Sequence, residues 1–523
     1  MFIRGKTRSD VERLIFWLLI VAASAYRLVY LNHPFQRDPE GCGSFYGLLA
    51  RNYLRWPMSL TLGVPVESLG VRHGAPFFYP NHPALLPLFI AAVFKLFGAG
   101  EWQTRLPSAA FTIACGALIY HLLRPRAGAR AGLLAMFFFL TTPMALLFGG
   151  QPDVINSQLV FFILLSIAAY LKFWESASIR SLGLLVLAFA PAAFTDWPAF
   201  FLVVVIGVHF ICTRPIERWR WIIAFGLITV VLFAIPYGQG ILVTHDLHWM
   251  GRFVERRTIS NVADRTGSFT MIGWIHNAIV RHAYGRHNGP VLPLMIAWII
   301  CAFTIWKRRP ETRLISLTLC WAALHVIVGR QGVYVHEWWW WPLTPGAAMA
   351  AGVAFDRAIA WHDDRTRTTS GPRIDIPIYV LLLAFAAFNV YSVNSEWVNP
   401  KQITNVKDPL NYSLREIGDA IRSSAPENTA VMIGEDDNSL SLWFYADRPL
   451  VQQIWDPLTL QTKIAAKETD IPFRGVEQEW TGPVSAYVLP RVYISPKMQP
   501  MIDWLDARYP RIELKKFLAW KLS

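Results

Sequence analysis

The chain alternates between long apolar runs and shorter polar segments. Eleven runs approach the length of about 20 residues that a helix needs to cross the hydrocarbon core of a bilayer. Because a spanning segment must satisfy its own backbone hydrogen bonds, runs of this kind predict helices. The predicted spans are approximately residues 11–31, 105–123, 131–149, 157–174, 181–195, 198–213, 219–237, 290–306, 312–329, 338–360 and 376–394.

Two further segments are predicted to lie along the membrane surface. The apolar run from Ala84 to Gly98 is short for a span and contains Lys95. A helix at the interface suits that length better than a crossing. The amphipathic segment from Ser44 to Trp56 is predicted as a second interfacial helix.

The pattern changes after Asn394, where the chain becomes polar. Short runs at 430–433, 442–445 and 486–489 predict strands, and segments near 410–425 and 496–508 predict helices. The expected fold class is an all-α polytopic membrane protein with about eleven transmembrane helices, interfacial helices and a small C-terminal α/β soluble domain. The expected domains are residues 1–395 and 396–523.

Composition supports this division. Of 523 residues, 54% are hydrophobic and 16% charged, whereas a soluble domain carries about 25% charged residues. These values argue against a secreted enzyme, a disordered chain and a cytosolic nucleic-acid binder. The net charge of +13 comes largely from Arg and Lys in loops that share the side of the N-terminus, so no nucleic-acid partner is expected.

The distribution of positive residues also predicts orientation. Cytoplasmic loops carry the excess of Lys and Arg, which places the N-terminus in the cytoplasm. With an odd number of spans, the C-terminal domain is then extracytoplasmic. No small-residue cleavage site follows the first span, so we expect a retained, multi-pass protein of the inner (plasma) membrane.

Ionisable residues gather in the segments predicted on the outer side. Asp38 and Glu40 lie in the first loop, and Asp153 follows the third span. His82 lies in the motif Tyr79-Pro80-Asn81-His82-Pro83, and the segment Arg330–Glu337 follows the ninth span. Such residues near a membrane are costly and indicate a functional site. The alternative is that they are solvated loop ends or helix caps.

The order of these motifs resembles a known family. An acidic pair precedes the Ala50-Arg51-Asn52 helix, then come Asn81-His82-Pro83, Arg105-Leu106-Pro107-Ser108-Ala109 and Asp153. This series resembles the membrane glycosyltransferases of the C fold, specifically the group of protein O-mannosyltransferases and lipid A aminoarabinose transferases. The resemblance covers residues 10–212 well and residues 213–395 loosely.

The resemblance implies an inverting glycosyltransferase. The enzyme would move a sugar from a polyprenyl- or dolichyl-phosphate donor to an acceptor hydroxyl of a glycan, lipid or protein at the outer face. It implies a catalytic base at Asp38 or Glu40, between which the choice is open, and an orienting acid at Asp153. A general base of this kind typically increases the reaction rate by a factor of about 10²–10⁴. Whether these three carboxylates also hold Mg²⁺ or Mn²⁺ is open.

The leaving phosphate of the donor needs positive charge nearby. Arg256 and Arg257 belong to an Arg-rich loop, residues 238–290, on the side where positive residues should be few. Either they face a carrier phosphate or lipid headgroups, or a long loop escapes the charge rule. The predicted substrate-binding residues are Arg51, His82, Asp196, Arg256, Arg257, Arg330, Tyr334, His336 and Glu337.

The roles of Asp196 and of the Trp run at 338–341 each have more than one interpretation. Asp196 contacts the donor, caps a helix or pairs with an Arg. The run Trp338-Trp339-Trp340-Trp341 forms an aromatic belt at the interface, or it stacks on a sugar or lines a prenyl groove. The alternative functions are a transporter or flippase for a lipid-linked or anionic solute and a catalytically silent sugar-binding protein. The sequence shows no inverted repeat, and its polar residues gather at one membrane face instead of the midplane. Both observations argue against the transporter.

Overall fold

The computed structural model describes most of the chain. The described residues are 8–35, 41–70, 76–155, 157–258, 270–276, 291–306, 309–366, 375–398, 414–433, 440–451, 457–466, 469–473, 476–480, 484–491, 494–513 and 517–522. Asp38 and Glu40 lie outside them. By their internal contacts the residues form two compact units. Unit 1 contains Met1–Leu31, Pro80–Leu86 and Arg105–Pro400, and unit 2 contains Asn32–Tyr79, Pro87–Thr104 and Lys401–Ser523.

Helices dominate the first 398 residues, as the apolar runs predict. Each of the eleven predicted spans contains a helix. The helices are α1 Arg8–Leu31, α2 Gly41–Arg55, α3 Met58–Thr61, α4 Leu85–Phe97, α5 Glu101–Ala127, α6 Ala129–Thr141, α7 Pro143–Phe148, α8 Ser157–Ser176, α9 Ile179–Ala193, α10 Ala199–Thr213, α11 Trp219–Thr244, α12 Trp249–Thr258, α13 Met271–His276, α14 Val291–Thr304, α15 Pro310–Val328, α16 Arg330–Val335, α17 Leu343–Thr366 and α18 Asp375–Val398. Short 3-10 helices occupy Ile216–Arg218 and Glu337–Trp340.

The chain is a membrane protein. Within the described part of the chain, six helices are long and apolar enough to cross a bilayer: Asp10–Leu31, Glu101–Ala127, Ser157–Ser176, Ile216–Thr244, Pro310–Val328 and Pro377–Asn394. Shorter apolar helices accompany them, including α4, α6, α9, α10 and α14. The total of eleven crossings stays a prediction.

Two predicted spans have different limits in the structure. The third is broken at Thr142, because Pro143 has no N–H and favours an extended residue before it. Thr142 has ψ 145° and its Oγ1 accepts a hydrogen bond from the Ala145 N–H, so it caps α7. The tenth begins at Leu343 rather than Trp338, since the preceding Trp residues form the 3-10 helix.

Unit 1 has a close helix packing at its centre. Helix α17 carries a run of small residues, and Ala347, Ala348, Ala350 and Ala351 are almost fully buried. A Cβ atom at Gly352 would lie 2.5 Å from the backbone nitrogen of Ala135 on α6. Small residues at an interface let the backbones of two helices approach, so α6 and α17 pack through Gly352.

Unit 2 contains the α/β structure predicted for the C-terminal residues. Strands β1 Ala430–Ile433, β2 Leu450–Val451, β5 Val484–Pro490, β6 Arg511–Glu513 and β7 Phe517–Lys521 form a sheet in the order β2-β1-β5-β7-β6, and β3 Thr469–Phe473 pairs with β4 Val476–Trp480. β1 is parallel to β2 and β5, whereas β7 is antiparallel to β5 and β6. The helices are α19 Leu414–Ser424, α20 Leu440–Ala446, α21 Pro457–Ala466 and α22 Gln499–Asp506.

One strand prediction is wrong. The run Leu442-Trp443-Phe444-Tyr445 lies in the helix α20. All four side chains are buried, and a short apolar run buried on every side has no periodicity that separates strand from helix. The predictions at 430–433 and 486–489, and of helices near 410–425 and 496–508, are confirmed.

Helix α20 is bound to the N-terminal segments of unit 2. The guanidinium of Arg55 donates two hydrogen bonds to Asp447, at 2.7 and 2.6 Å. The Tyr445 hydroxyl accepts from the Phe35 N–H at 2.6 Å and donates to Glu101 at 2.7 Å. A Cβ atom at Gly47 on α2 would meet the Phe444 ring at 2.7 Å. Residues far apart in sequence therefore build one compact core.

Candidate functional site

A histidine–aspartate pair joins two of the predicted motifs in unit 1. The His82 Nδ1–H donates to Oδ1 of Asp196 at 2.7 Å, and both side chains are buried. The backbone N–H of Trp197 also donates to Asp196, at 2.8 Å. Since an ionised carboxylate only accepts hydrogen bonds, Asp196 fixes the orientation of the imidazole. Among the described residues the ion-pair partner of Asp196 is His82, and a pairing of Asp196 with an Arg stays a prediction.

Backbone contacts hold the motif of His82 in position. The Trp197 indole N–H donates to the Asn81 carbonyl at 2.7 Å, and the Leu85 N–H donates to the Phe194 carbonyl at 3.0 Å. Residues 80–86 are therefore docked on the turn between α9 and α10. The sequence placed these segments in separate loops, and the structure brings them together.

Asp153 lies in the loop between α7 and α8 and is buried. Its Oδ1 accepts from the Ile155 N–H at 3.1 Å. Burial raises the pKa of Asp153 to about 6, and Asp196 adds to this rise, whereas the Ile155 hydrogen bond, His82 and Arg257 act in the opposite direction. Asp153, His82, Asp196 and Arg257 therefore form one electrostatically coupled group.

An apolar cavity of about 270 Å³ opens beside this group. Its apolar lining comes from the turn before α10, from α10, α11, α12 and α15, and from the run Trp338–Trp341: Trp197, Pro198, Phe200, Phe201, Phe233, Met250, Phe253, Val254, Val328 and Trp339. Its polar lining comes from His82, Asp196, Arg257, Thr258 and His325. A mostly apolar cavity with a few convergent polar groups is the usual form of a small-ligand site.

Arg257 supplies the positive charge of the cavity lining. Its Nη1 lies 3.3 Å from Nε2 of His336, and its guanidinium carbon lies 4.9 Å from the Trp339 ring centroid. Its Nε is buried and has no hydrogen-bond partner among the residues that the structure describes. The guanidinium therefore keeps a donor that a bound anion can use.

The segment Arg330–Glu337 lies next to this cavity. The Arg330 Nε–H donates to the carbonyl of Thr258, a lining residue, at 3.1 Å. The His336 ring packs against Trp338 with centroids 4.7 Å apart. Tyr334 and Glu337 are half-buried in the same segment and do not line the cavity. Of the predicted substrate contacts in this segment, His336 is joined to Arg257 and Arg330 to Thr258.

The Trp residues at 338–341 do not form a belt of exposed rings. Trp339, Trp340 and Trp341 are buried, and Trp341 packs against Phe139 with ring centroids 5.8 Å apart. The interfacial interpretation is wrong for these three, because their rings contact protein instead of reaching the surface. Trp339 lines the cavity, so a stacking role for it stays a prediction.

Arg51 belongs to unit 2 and has protein partners. It lies 3.0 Å from Asp447, donates to the Phe444 carbonyl at 2.9 Å and stacks 4.5 Å from the Phe444 ring centroid. Burial raises the pKa of Asp447, but Arg55 and Arg51 outweigh it and hold the pKa below its ordinary value. A substrate contact of Arg51 stays a prediction, since its guanidinium here stabilises unit 2.

Some predicted residues lie outside the described part. These are Asp38, Glu40, the side chain of Arg256 and residues 259–269 and 277–290 of the Arg-rich loop. Among the described residues, no cluster of three or more His, Cys, Asp or Glu could hold a metal ion. The Mg²⁺ or Mn²⁺ site at Asp38, Glu40 and Asp153 stays a prediction.

The sequence did not reveal the cavity lining. Phe233, Phe253 and Val254 come from helices that look like ordinary membrane or amphipathic segments. Trp197 was signalled by its place between Asp196 and Pro198. His325 lies within a predicted span, and an ionisable residue there was a signal that could have been used.

Known proteins share this architecture. Residues 81–237 match the family model of dolichyl-phosphate-mannose-protein mannosyltransferases. The structure of ArnT from Cupriavidus metallidurans bound to undecaprenyl phosphate aligns with a TM-score of 0.60 and 16% identity, over 96% of this chain and 97% of ArnT. The oligosaccharyltransferase AglB from Archaeoglobus fulgidus, in complex with an inhibitory peptide and a dolichol-phosphate, aligns with a TM-score of 0.51 and 12% identity, over 97% of this chain and 74% of AglB.

A third structure has the same architecture within a longer chain. The arabinofuranosyltransferase AftD from Mycobacteria aligns with a TM-score of 0.51 and 11% identity, over 98% of this chain and 40% of AftD. No curated protein sequence matches this chain significantly. The resemblance to membrane glycosyltransferases of the C fold is confirmed at the level of the fold.

Proposed function

We propose that this chain is an inverting glycosyltransferase that uses a polyprenyl- or dolichyl-phosphate sugar. The observation that carries the proposal is the apolar cavity with His82, Asp196 and Arg257 in its lining. An isoprenoid chain suits the aromatic lining, and a phosphate suits the imidazole and guanidinium. The lipid phosphates bound in the ArnT and AglB structures agree with a donor of this class.

The proposed reaction needs one proton acceptor and one stabilised leaving group. The acceptor oxygen forms a bond to the anomeric carbon as the bond from that carbon to the phosphate oxygen breaks. The hydroxyl proton passes to a carboxylate, for which Asp38 and Glu40 are the candidates, and the carrier phosphate leaves with the bonding electrons. Positive groups near the leaving oxygen stabilise its charge, and His82, Arg257, His336 and Arg330 are proposed to do so.

Asp153 is proposed to orient the reactants. It is buried and coupled to His82, Asp196 and Arg257, so its charge acts directly on the groups that would hold the phosphate. We place the reaction at the outer face of the inner membrane, with the C-terminal domain on the same side. The positive residues on the opposite loops support this orientation.

The test uses purified protein in vesicles with labelled polyprenyl-phosphate sugars. Transfer to an acceptor, or hydrolysis of the donor, supports the glycosyltransferase. Movement of the labelled lipid across the bilayer without bond cleavage would support the flippase instead. Asp38→Ala, Glu40→Ala and Asp153→Ala should abolish transfer in at least one case while the protein stays folded. Full activity of all three variants would overturn the site assignment.

A further inference from the structure

A cluster of arginines lies in unit 1 apart from the cavity. Arg214 follows α10, Arg218 ends the 3-10 helix before α11, and Arg313 lies in the first turn of α15. Trp174, in the last turn of α8, lies between these elements. None of these residues lines the cavity, so the cluster is separate from the proposed donor site.

Trp174 holds two of the positive charges close together. The guanidinium carbons of Arg214 and Arg313 each lie 3.7 Å from the centroid of its ring. They can therefore be no farther apart than twice that distance. The Trp174 indole N–H donates to Thr213 Oγ1 at 2.8 Å, which fixes the ring on the end of α10. The ring attracts each cation, but the two cations repel each other.

No carboxylate of the described residues forms an ion pair with this cluster. In the described part of the chain no ion pair joins Arg214, Arg218 or Arg313 to an acidic residue. Glu175 acts on Arg214 only at longer range, and Glu311 beside Arg313 pairs with Arg357 instead. The Nε of Arg214 is buried without a partner among the described residues. The cluster thus has donors and net positive charge to satisfy.

The positions of Arg218 and Arg313 at the N-terminal ends of helices favour the binding of an anion. Arg218 immediately precedes α11, and Arg313 lies in the first turn of α15. The helix dipole favours negative groups at such N-terminal ends and disfavours cations. Burial, Arg218 and Arg313 together lower the pKa of Arg214. A bound anion would relieve the repulsion and offset the unfavourable dipole contacts of Arg218 and Arg313, whereas Arg214, at the C-terminal end of α10, already lies at an end that favours a cation.

An apolar surface leads directly to the cluster. Val204, Val208 and Ile211 are exposed on α10 at 55%, 58% and 43%. Their spacing puts them on one face of the helix, and that face ends at Arg214. An acyl chain can lie along these side chains while a phosphate reaches the guanidinium groups. A soluble anion would use the arginines but not the apolar face.

We propose that Arg214 and Arg313, stacked on Trp174, bind the phosphate of an anionic phospholipid headgroup whose acyl chain lies along α10. Interactions of this kind attract anionic lipids to basic groups at the membrane surface. The site does not depend on the proposed glycosyl transfer, because it shares no residue with the cavity.

The test measures lipid retention by the full-length protein. Purified protein is titrated with phosphatidylglycerol or phosphatidylcholine, and bound lipid is counted by native mass spectrometry. We expect wild-type protein to prefer phosphatidylglycerol, and Arg214→Gln with Arg313→Gln to lower that affinity about thirtyfold. A control is Arg220→Gln, which removes one positive charge from a neighbouring helix residue whose guanidinium carbon lies 5.3 Å from the Trp221 ring centroid; the affinity of this variant should not change.

Three further outcomes separate the explanations. Arg214→Lys with Arg313→Lys keeps the charge and is expected to bind with intermediate affinity, which covers the case in which the Gln variant fails to fold. If inorganic phosphate displaces phosphatidylglycerol from the site, the ligand is a soluble anion and the proposed lipid is wrong. Equal binding of both lipids by the wild type, or unchanged binding by both double variants, would overturn the proposal.

Discussion

At the scale of single residues, the site depends on pairs that fix orientation and charge. His82 is held by Asp196 at 2.7 Å, and Arg257 is held near His336 at 3.3 Å. Each pair joins segments that are far apart in the chain, so each residue has a defined direction before any ligand binds. Such preorganisation lowers the entropy cost of binding.

We predict that Asp196→Asn weakens binding of a polyprenyl phosphate by about tenfold or more, since a hydrogen bond to a charged group contributes about 1.5–3 kcal/mol. His82→Gln should have a similar effect. Both are measured by titrating purified protein with a short-chain polyprenyl phosphate. The control is His209→Gln, because His209 pairs with Tyr170 at 2.5 Å and does not line the cavity. Wild-type affinity of Asp196→Asn would contradict a positioning role.

Asp153 predicts a pH dependence. Burial raises its pKa from 3.8 to about 6, so the carboxylate loses its charge as the pH falls through about 6. We expect the rate of transfer to decline as the pH falls through about 6, which is a higher pH than for an Asp with the ordinary pKa of 3.8. In Asp153→Asn the overall rate should be lower and this acidic limb absent. An unchanged limb in the variant would assign the titration to another group.

The same shift has a consequence for stability. Because the pKa of the folded state is raised, the fold favours the protonated carboxyl. Its contribution to stability is fully present below the ordinary value of 3.8 and is lost as the pH rises through about 6. Asp153→Asn is therefore expected to be at least as stable as the wild type at pH 8. Thermal unfolding at pH 5 and pH 8 provides this check, and it separates lost activity from lost fold.

At the scale of elements, close helix packing and local breaks set the positions of the loops. Helix α17 approaches α6 through Gly352, and the break at Thr142 divides the third predicted span. After that break, α7 leads into the loop of Asp153. The broken helix thus directs the chain toward the site, whereas an uninterrupted helix would continue along its own axis.

Two glycines give a matched test of the packing. Gly352→Ala would place a Cβ atom 2.5 Å from the Ala135 backbone nitrogen, whereas a Cβ at Gly226 on α11 meets nothing within 4 Å. Overpacking costs typically about 1–3 kcal/mol, so Gly352→Ala should lower the unfolding temperature. Gly226→Ala should leave it unchanged or raise it, because Ala favours helix over Gly. Equal unfolding temperatures for both variants would show that the contact between α6 and α17 can accommodate an added methyl group.

The elements were more predictable than their partners. The helix of every predicted span followed from apolar length, and β1 and β5 followed from their short apolar runs. Helix α20 did not, because its run of buried residues lacks a diagnostic period. The contact of His82 with Asp196 could not be predicted either, since a single sequence gives no distance between loops. Asp196 was a candidate from its chemistry alone, and its partner came only from the structure.

At the scale of the whole molecule, the loops that carry positive charge predict the direction of insertion. Arg124, Arg126 and Arg130 flank the connection between α5 and α6. Positive loops remain in the cytoplasm, and eleven crossings then put the C-terminus outside. A green fluorescent protein fused after Ala127 should fluoresce, and alkaline phosphatase fused at the C-terminus should be active. Fluorescence from a C-terminal fusion would show an even number of crossings.

The joining of α20 to the N-terminal segments of unit 2 has a consequence for biosynthesis. Arg55 and Asp447 are separated by 392 positions, and the ribosome makes Arg55 first. Helices α5 to α18 are synthesised before Asp447 appears. The segments that carry Arg55, Gly47 and Phe35 therefore lack their contacts with α20 and Asp447 while the membrane helices are being synthesised. Unit 2 can complete its fold only after α20 has been translated, so its assembly is a late, post-insertion event.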